Sequence, residues 1–181
     1  KHYDAIIFGA GVIGLSQALA LTQAGFHIAL VEQSFAPLFE DLSKDTCTQG
    51  PMYAINRYSE QYLRQLNIWE ELLESGLLRP YEQVKLGEMY EPVSLIFKHQ
   101  QICEPNLGHI LPETVWRSTL LQKLQQMHCD FYWHHTLDSW EKDTDELVRV
   151  RLNDLSWQEP CTLHTPLIIA ADGPRSMLRS K

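Results

Sequence analysis

The 181-residue chain has few positive charges and no cluster of them: 15 Lys+Arg stand against 23 Asp+Glu, a formal net charge of −8. Phosphate backbones and anionic membrane surfaces are held by concentrated positive charge, so no nucleic-acid partner is expected and no polybasic stretch ties the chain to lipid. Cysteine is sparse. Cys47, Cys103, Cys129 and Cys161 form no CxxC pair, which argues against a structural zinc site and a disulfide framework and fits reduced thiols in a cytoplasmic protein. The histidines are scattered apart from His134-His135, whose rings should face opposite sides of a strand, so no metal is expected. No GxSxG occurs and Cys47 has no evident His partner, leaving nucleophilic catalysis without support. No apolar run reaches the length of a membrane span. Residues 1–20 have the outline of a signal peptide, but Asp4 and the glycines at 9, 11 and 14 fit one badly. The first residue is not Met, which reads as a trimmed start.

What is present is enough apolar material for a core, 44% of the residues, in a length suited to one domain or one and a half. Ala5-Ile6-Ile7-Phe8 reads as a buried parallel strand, residues 12–24 as a helix stopped at Gly25, and Ile28-Ala29-Leu30-Val31 as a second buried strand. Together they make a βαβ unit. Residues 33–55 read as a long loop. Asn56 is a helix cap, and Tyr58, Tyr62, Leu66, Trp69 and Leu73 recur on one helical face up to Gly76. Residues 81–102 read as antiparallel strands, and residues 113–127 as a helix with Trp116, Leu120, Leu124 and Met127 on one face. Phe131 and Trp133 suggest a strand. Residues 137–141 and 147–152 suggest a hairpin whose second arm alternates Val148, Val150 and Leu152 with arginines. Residues 167–173 read as an apolar strand running into a turn.

Gly9-Ala10-Gly11-Val12-Ile13-Gly14 is a GxGxxG between the first strand and the first helix, and Glu32 follows 18 residues after Gly14 at the end of the next strand. Each part has a physical task. Gly9 permits the tight turn, Gly11 lets the backbone approach a pyrophosphate, and Gly14 lets helix and strand pack closely. The helix N-terminus at Val12 and Ile13 presents N–H groups and partial positive charge to phosphates. Glu32 can accept hydrogen bonds from both hydroxyls of an adenosine ribose and disfavours a 2′-phosphate. These features fit FAD or NAD alike. The long loop and antiparallel segment after the second strand, in place of regular βα alternation, favour FAD.

Residues 6–32 look like the FAD-binding βαβ of the flavoprotein aromatic hydroxylases, the p-hydroxybenzoate hydroxylase-like family. Ala54-Ile55-Asn56-Arg57 with Gln65-Leu66-Asn67-Ile68-Trp69 is similar to the "ALNR…LGVW" region of its ubiquinone-biosynthesis branch. Leu107-Gly108-His109-Ile110 and the helix that follows resemble the branch's "LGHIVEN" segment, and Ala171-Asp172-Gly173-Pro174-Arg175-Ser176 resembles "GADGxxS". The matches run in order along nearly the whole chain.

The resemblance implies an α/β fold: a Rossmann-like FAD-binding domain with an inserted antiparallel β segment. Residues 1–80 would carry the FAD-binding βαβ and a helix, 81–102 would begin a substrate-domain sheet, and 103–181 would return to the FAD-binding domain. The implied cofactor contacts are Gly9, Gly11, Val12, Ile13, Gly14, Glu32, Gln33, Arg117, Asp172 and Gly173. Arg117 would lie near the dinucleotide, and Asp172 would serve the pyrophosphate side and NAD(P)H use. By itself, a strand-end Asp before a turn also reads as a cap, and Arg57, Arg175 and Arg179 as solvated charges. The implied activity is hydroxylation of an aromatic ring, a polyprenylated phenol or quinol of ubiquinone biosynthesis, with NAD(P)H as co-substrate and O2 as oxygen source. For a protein expected in the cytoplasm, such a lipid-tailed substrate implies peripheral contact with the inner membrane or with a biosynthetic complex. Two departures stand out. Pro51 occupies the place of a family arginine that contacts the cofactor. The chain also stops before the family's later GD motif, so it reads as an N-terminal part, inactive alone and without an identifiable catalytic residue. A reductase or dehydrogenase of the same superfamily and a non-catalytic scaffold subunit are the alternative readings.

Overall fold

Ala5-Ile6-Ile7-Phe8 is buried at every position, the pattern of a strand covered on both faces. It is β1 (Ala5–Phe8) in a computed structural model that describes residues 1–37, 50–87, 94–143, 146–156, 159–174 and 176–180. After it come α1 (Val12–Gln23), β2 (Ile28–Glu32), β3 (Met52–Asn56), α2 (Arg57–Gln65), α3 (Trp69–Glu74), β4 (Arg79–Tyr81), β5 (Gln83–Gly87), β6 (Ser94–Lys98) and β7 (Gly108–Pro112). The chain continues with α4 (Glu113–Gln125), β8 (Cys129–Trp133), β9 (His135–Lys142), β10 (Val148–Asp154), β11 (Cys161–Thr165) and β12 (Ile168–Ala170). Two compact units result, residues 1–41 with 120–181, and residues 42–119.

In the first unit a four-stranded parallel sheet has the order β12-β1-β2-β8. Side chains alternate across it. Ile6, Phe8, Ala29 and Val31 form one core with Leu137, Val150, Leu152 and Leu163, the inward residues of an antiparallel sheet ordered β11-β10-β9. Ile7, Ile28 and Leu30, fully buried, point the other way, where α1 packs on β1 and β2 through buried Leu15, Ala18 and Leu19. The result is the expected mixed α/β architecture, with parallel and antiparallel strands. The anticipated hairpin gains β11 as a third strand, and its turn residues 144–145 lie outside the described residues.

The second unit contains the antiparallel sheet β3-β7-β4 and the hairpin β5–β6. Of the expected loop over 33–55, the last residues are instead a strand, because Met52–Asn56 is recruited by pairing with Gly108–Pro112, and residues 38–49 lie outside the described residues. The single helix expected after Asn56 is two. Asn56 does cap α2, its side-chain oxygen accepting the Ser59 N–H at 2.7 Å. The helix ends because Asn67 adopts the left-handed conformation, φ 56°. The turn resets the apolar face. Leu63, Leu66, Ile68, Trp69 and Leu72 are buried, whereas Tyr58 is 82% exposed.

Candidate functional site

The parallel strands β1, β2 and β12 all end on one side of the first unit, where ligands of open α/β sheets gather. A cavity of about 110 Å3 opens there, lined by Phe8, Gly9, Glu32, Gln33, His135 and Asp172, with Val31, Thr136, Leu137 and Met177. Sites that enclose a whole drug-sized ligand run to roughly 300–1,000 Å3, so this cavity suits one part of a larger, extended molecule.

Gly9 has φ 104°, and a Cβ there would fall 2.3 Å from the Ala171 carbonyl oxygen. At Gly14 it would fall 1.9 Å from the Gly9 carbonyl oxygen. Both glycines are thus required by the packing of the protein's own backbone. Gly11 is different: its backbone is extended, φ −73°, and a Cβ would meet, beyond its chain neighbours, no atom of the described residues within 4 Å. Nothing among the described residues explains a glycine there; a ligand approaching the backbone would. Gly11 is the N-cap of α1, whose first turn, starting with Val12 and Ile13, has no side-chain cap and no acidic residue, so its N–H groups and partial positive charge stay available.

The Glu32 carboxylate braces this turn from β2, accepting the Ala10 N–H at 2.7 Å and the Ser34 N–H at 2.9 Å. With two backbone donors already bound it is a charged acceptor fixed in place beside the cavity. On the β12 side, one Asp172 oxygen accepts the Met177 N–H at 2.8 Å, while the other is buried with no hydrogen-bond partner. An ionised carboxylate offers only lone pairs, so that oxygen is complementary to a hydroxyl or N–H of a ligand.

The structure therefore brings Gly9, Glu32, Gln33 and Asp172 to one cavity, with Gly11, Val12, Ile13 and Gly14 on the adjoining loop and helix start and Gly173 (φ 79°) in the turn after Asp172. Arg117 lies half-buried on α4, in the second unit. Arg175 lies outside the described residues. Arg179 donates to the Pro174 carbonyl. His135, Thr136 and Met177 line the cavity without having been singled out in the sequence.

The Arg57 and His109 segments of the second unit also come together, on Glu60. This buried carboxylate accepts from Arg57 at 2.6 Å and Arg64 at 3.0 and 3.1 Å, with His109 Nδ1 at 3.6 Å. Arg57 reaches Glu104 as well, at 3.1 Å, so it is tied down where the sequence suggested an exposed helix start. Burial pushes the His109 imidazole below its ordinary value, against the pull of Glu60 and with the two arginines adding to the effect. Among the described residues no group of His, Cys, Asp or Glu has the geometry to hold a metal ion, and no helix is long and apolar enough to cross a membrane.

A comparison with curated proteins finds 25% identity over 96% of the chain with 3-demethoxyubiquinol 3-hydroxylase of Escherichia coli, and 24% over 98% with the ubiquinone biosynthesis monooxygenase COQ6 of Xenopus tropicalis. The aligned segments cover 42% and 39% of those proteins, so the chain spans about two fifths of the length of the curated relatives it matches. Among solved structures, the flavin-dependent monooxygenase PieE, in complex with FAD and substrate, superposes on 99% of the chain and 32% of its own with a TM-score of 0.77 at 19% identity, a likeness of fold. The profile of one protein family, described as "FAD binding domain", matches residues 2–181, and the chain belongs to that family.

Proposed function

We propose that the cavity at the ends of β1, β2 and β12 receives the adenosine and pyrophosphate portion of FAD, and that this chain is the cofactor-binding part of a flavin-dependent monooxygenase. The observation that carries the reading is Gly11: an unhindered backbone at an uncapped helix N-terminus, beside a fixed carboxylate. The residues present fit the group. The α1 N–H groups at Val12 and Ile13 would meet the phosphates, Glu32 a ribose hydroxyl, and the unpartnered oxygen of Asp172 a further donor on the cofactor. Gln33 and Gly173 would shape the rim.

When bound, FAD supplies the redox chemistry, passing electrons from NAD(P)H to O2 so that one oxygen atom enters the substrate and the other leaves as water. The chain's own residues bind and orient. Gly9 and Gly14 set the turn, Glu32 holds it through Ala10 and Ser34, and the apolar wall of Phe8, Val31 and Leu137 keeps water from the cavity floor. The names of the curated relatives support an aromatic substrate of the polyprenylated phenol or quinol class in ubiquinone biosynthesis. Such a lipid-tailed substrate implies contact of the whole protein with a membrane surface or with a neighbouring enzyme. The hairpin β5–β6, in residues 81–102, would open a substrate domain.

Titration with FAD tests the cofactor reading: binding with quenched flavin fluorescence is expected, and Glu32→Ala should weaken it about 10- to 100-fold, the effect of losing one charged hydrogen-bonding partner. A wild-type chain that takes up no FAD overturns it. For the activity, the intact protein supplied with NAD(P)H, O2 and a polyprenylated phenol should form hydroxylated product in step with NAD(P)H consumed. Hydride transfer without oxygen insertion would instead identify a reductase.

A further inference from the structure

The sequence places His134 and His135 on one strand with their rings on opposite faces, but the backbone turns between them. β8 ends at Trp133, and His134 takes the left-handed conformation with φ 57°, its N–H donating to the Ser34 carbonyl at 3.0 Å. That single strained residue turns the chain from the parallel sheet into β9. It sends the His134 ring onto Phe35, stacked at 3.9 Å with an interplanar angle of 15°, and brings His135 into the wall of the cavity shared by Glu32 and Asp172.

The His135 ring is fixed. Its Nδ1 lies 2.7 Å from the Trp133 carbonyl oxygen, which can only accept, so Nδ1 carries the proton and donates. Nε2 is then the end of the ring that no hydrogen bond engages among the described residues. Asp154 Oδ2 stands 3.8 Å from it, an ion-pair distance beyond hydrogen-bond reach, while the other oxygen, Oδ1, accepts the Ser156 N–H at 2.6 Å. Three residues that carry acceptor atoms thus line the cavity from three elements: Glu32 on β2, Asp172 after β12, and His135 on β9. A group rich in hydroxyl and amino donors matches that set, and the adenosine end of a dinucleotide is such a group.

We propose that His135 is a binding residue for the adenosine end of FAD, accepting a hydrogen bond at Nε2 from its ribose or adenine. This rests on the FAD reading above and deepens it. Phe35 stacks on His134, the left-handed residue that directly precedes His135.

The test uses His135→Asn and His135→Leu, with FAD and ADP as probes. The asparagine amide keeps a donor for the Trp133 carbonyl but ends short of Nε2; leucine removes both. His135→Asn should keep the ligand-free unfolding temperature and bind FAD and ADP about tenfold more weakly by calorimetry, the loss of one hydrogen bond. His135→Leu should bind each at least as poorly. If His135→Asn binds both ligands as wild type does, the proposal is overturned. If FAD weakens while ADP does not, His135 serves another part of the cofactor and the adenosine assignment falls. A wild-type chain that binds neither probe overturns the FAD reading itself, a distinct result.

Discussion

The α-carbon of Gly14 faces the carbonyl oxygen of Gly9 so closely that a Cβ on Gly14 would stand 1.9 Å from that oxygen. Gly14 is therefore required by its approach to the Gly9 backbone, Gly9 by its positive φ and the Ala171 carbonyl beside it, and the middle glycine by neither. This divides the three by function within a single turn. Gly14→Ala should destabilise the first unit by at least roughly 1–3 kcal/mol, the usual cost of forcing a methyl into packed backbone. Gly11→Ala should leave the thermal unfolding of the ligand-free chain within about 0.5 kcal/mol of wild type and still abolish FAD uptake, because its methyl enters only the space a phosphate would use. Calorimetric scans of the ligand-free variants, followed by FAD titration, separate the two. A Gly11→Ala chain that binds FAD normally would contradict the role given to that residue.

The βαβ unit was legible because its information is local. Four or five consecutive apolar residues make each strand, and glycine spacing makes the turn. The sheet of the second unit was not. Met52–Asn56 buries only Ile55, Arg79–Tyr81 contains a proline, and Gly108–Pro112 is bounded by a glycine and a proline. These segments are strands because distant partners pair with them, and no window of sequence contains that fact. At the cavity, Glu32 and Asp172 announce themselves as acids at strand ends. His135 does not, since its direction depends on a left-handed histidine that nothing in the sequence requires.

Glu60 is 3% exposed and meets two arginines of its own helix, Arg57 and Arg64, so it joins the segments that contain Arg57 and His109. Glu60→Ala leaves the neighbouring cations without their buried partner. Breaking a buried ion pair from one side costs about 3–5 kcal/mol, and the partial exposure of both arginines reduces the expectation to roughly 2–3 kcal/mol. Urea unfolding followed by Trp69 fluorescence should report it. A loss below about 0.5 kcal/mol would mean the network is ornamental to the stability of the second unit.

The described cysteines differ in reactivity for a physical reason. Burial pushes the Cys129 thiol up to about 12 and raises Cys161 as well, while Cys103 is exposed. At pH 8 the thiolate fraction of Cys129 is on the order of 10⁻⁴, and the thiolate is the reactive form. Brief iodoacetamide treatment of the folded chain, read by peptide mass spectrometry, should therefore modify Cys103 and spare Cys129. Equal labelling of the two would show that β8 opens on the timescale of the reaction.

Far from the cavity, at the start of the parallel strands, the Tyr3 hydroxyl donates to Asp130 and lies 2.8 Å from the Tyr132 hydroxyl. That hydrogen bond holds the Asp130 carboxyl below its ordinary value near 3.8, against the opposing effect of burial and with Lys1 assisting. Burial and the same carboxylate push Tyr3 upward, above its ordinary 10.0. The two signs predict two windows. A carboxyl depressed in the folded state contributes stability that is present above its unfolded pKa and is lost as pH falls through the folded one, so the Asp130 contribution fades below about pH 4. A phenol raised in the folded state contributes stability that is complete below its unfolded pKa and declines as pH rises beyond about 10. Asp130 is 42% exposed at its side chain, so solvent screening limits its share to below about 1 kcal/mol. Urea midpoints from pH 2.5 to 11 should show wild type losing stability at both ends, Asp130→Asn with a shallower acid limb, and Tyr3→Phe with a shallower alkaline one. An acid limb unchanged by Asp130→Asn would assign acid sensitivity to other carboxylates and remove this cluster from the account.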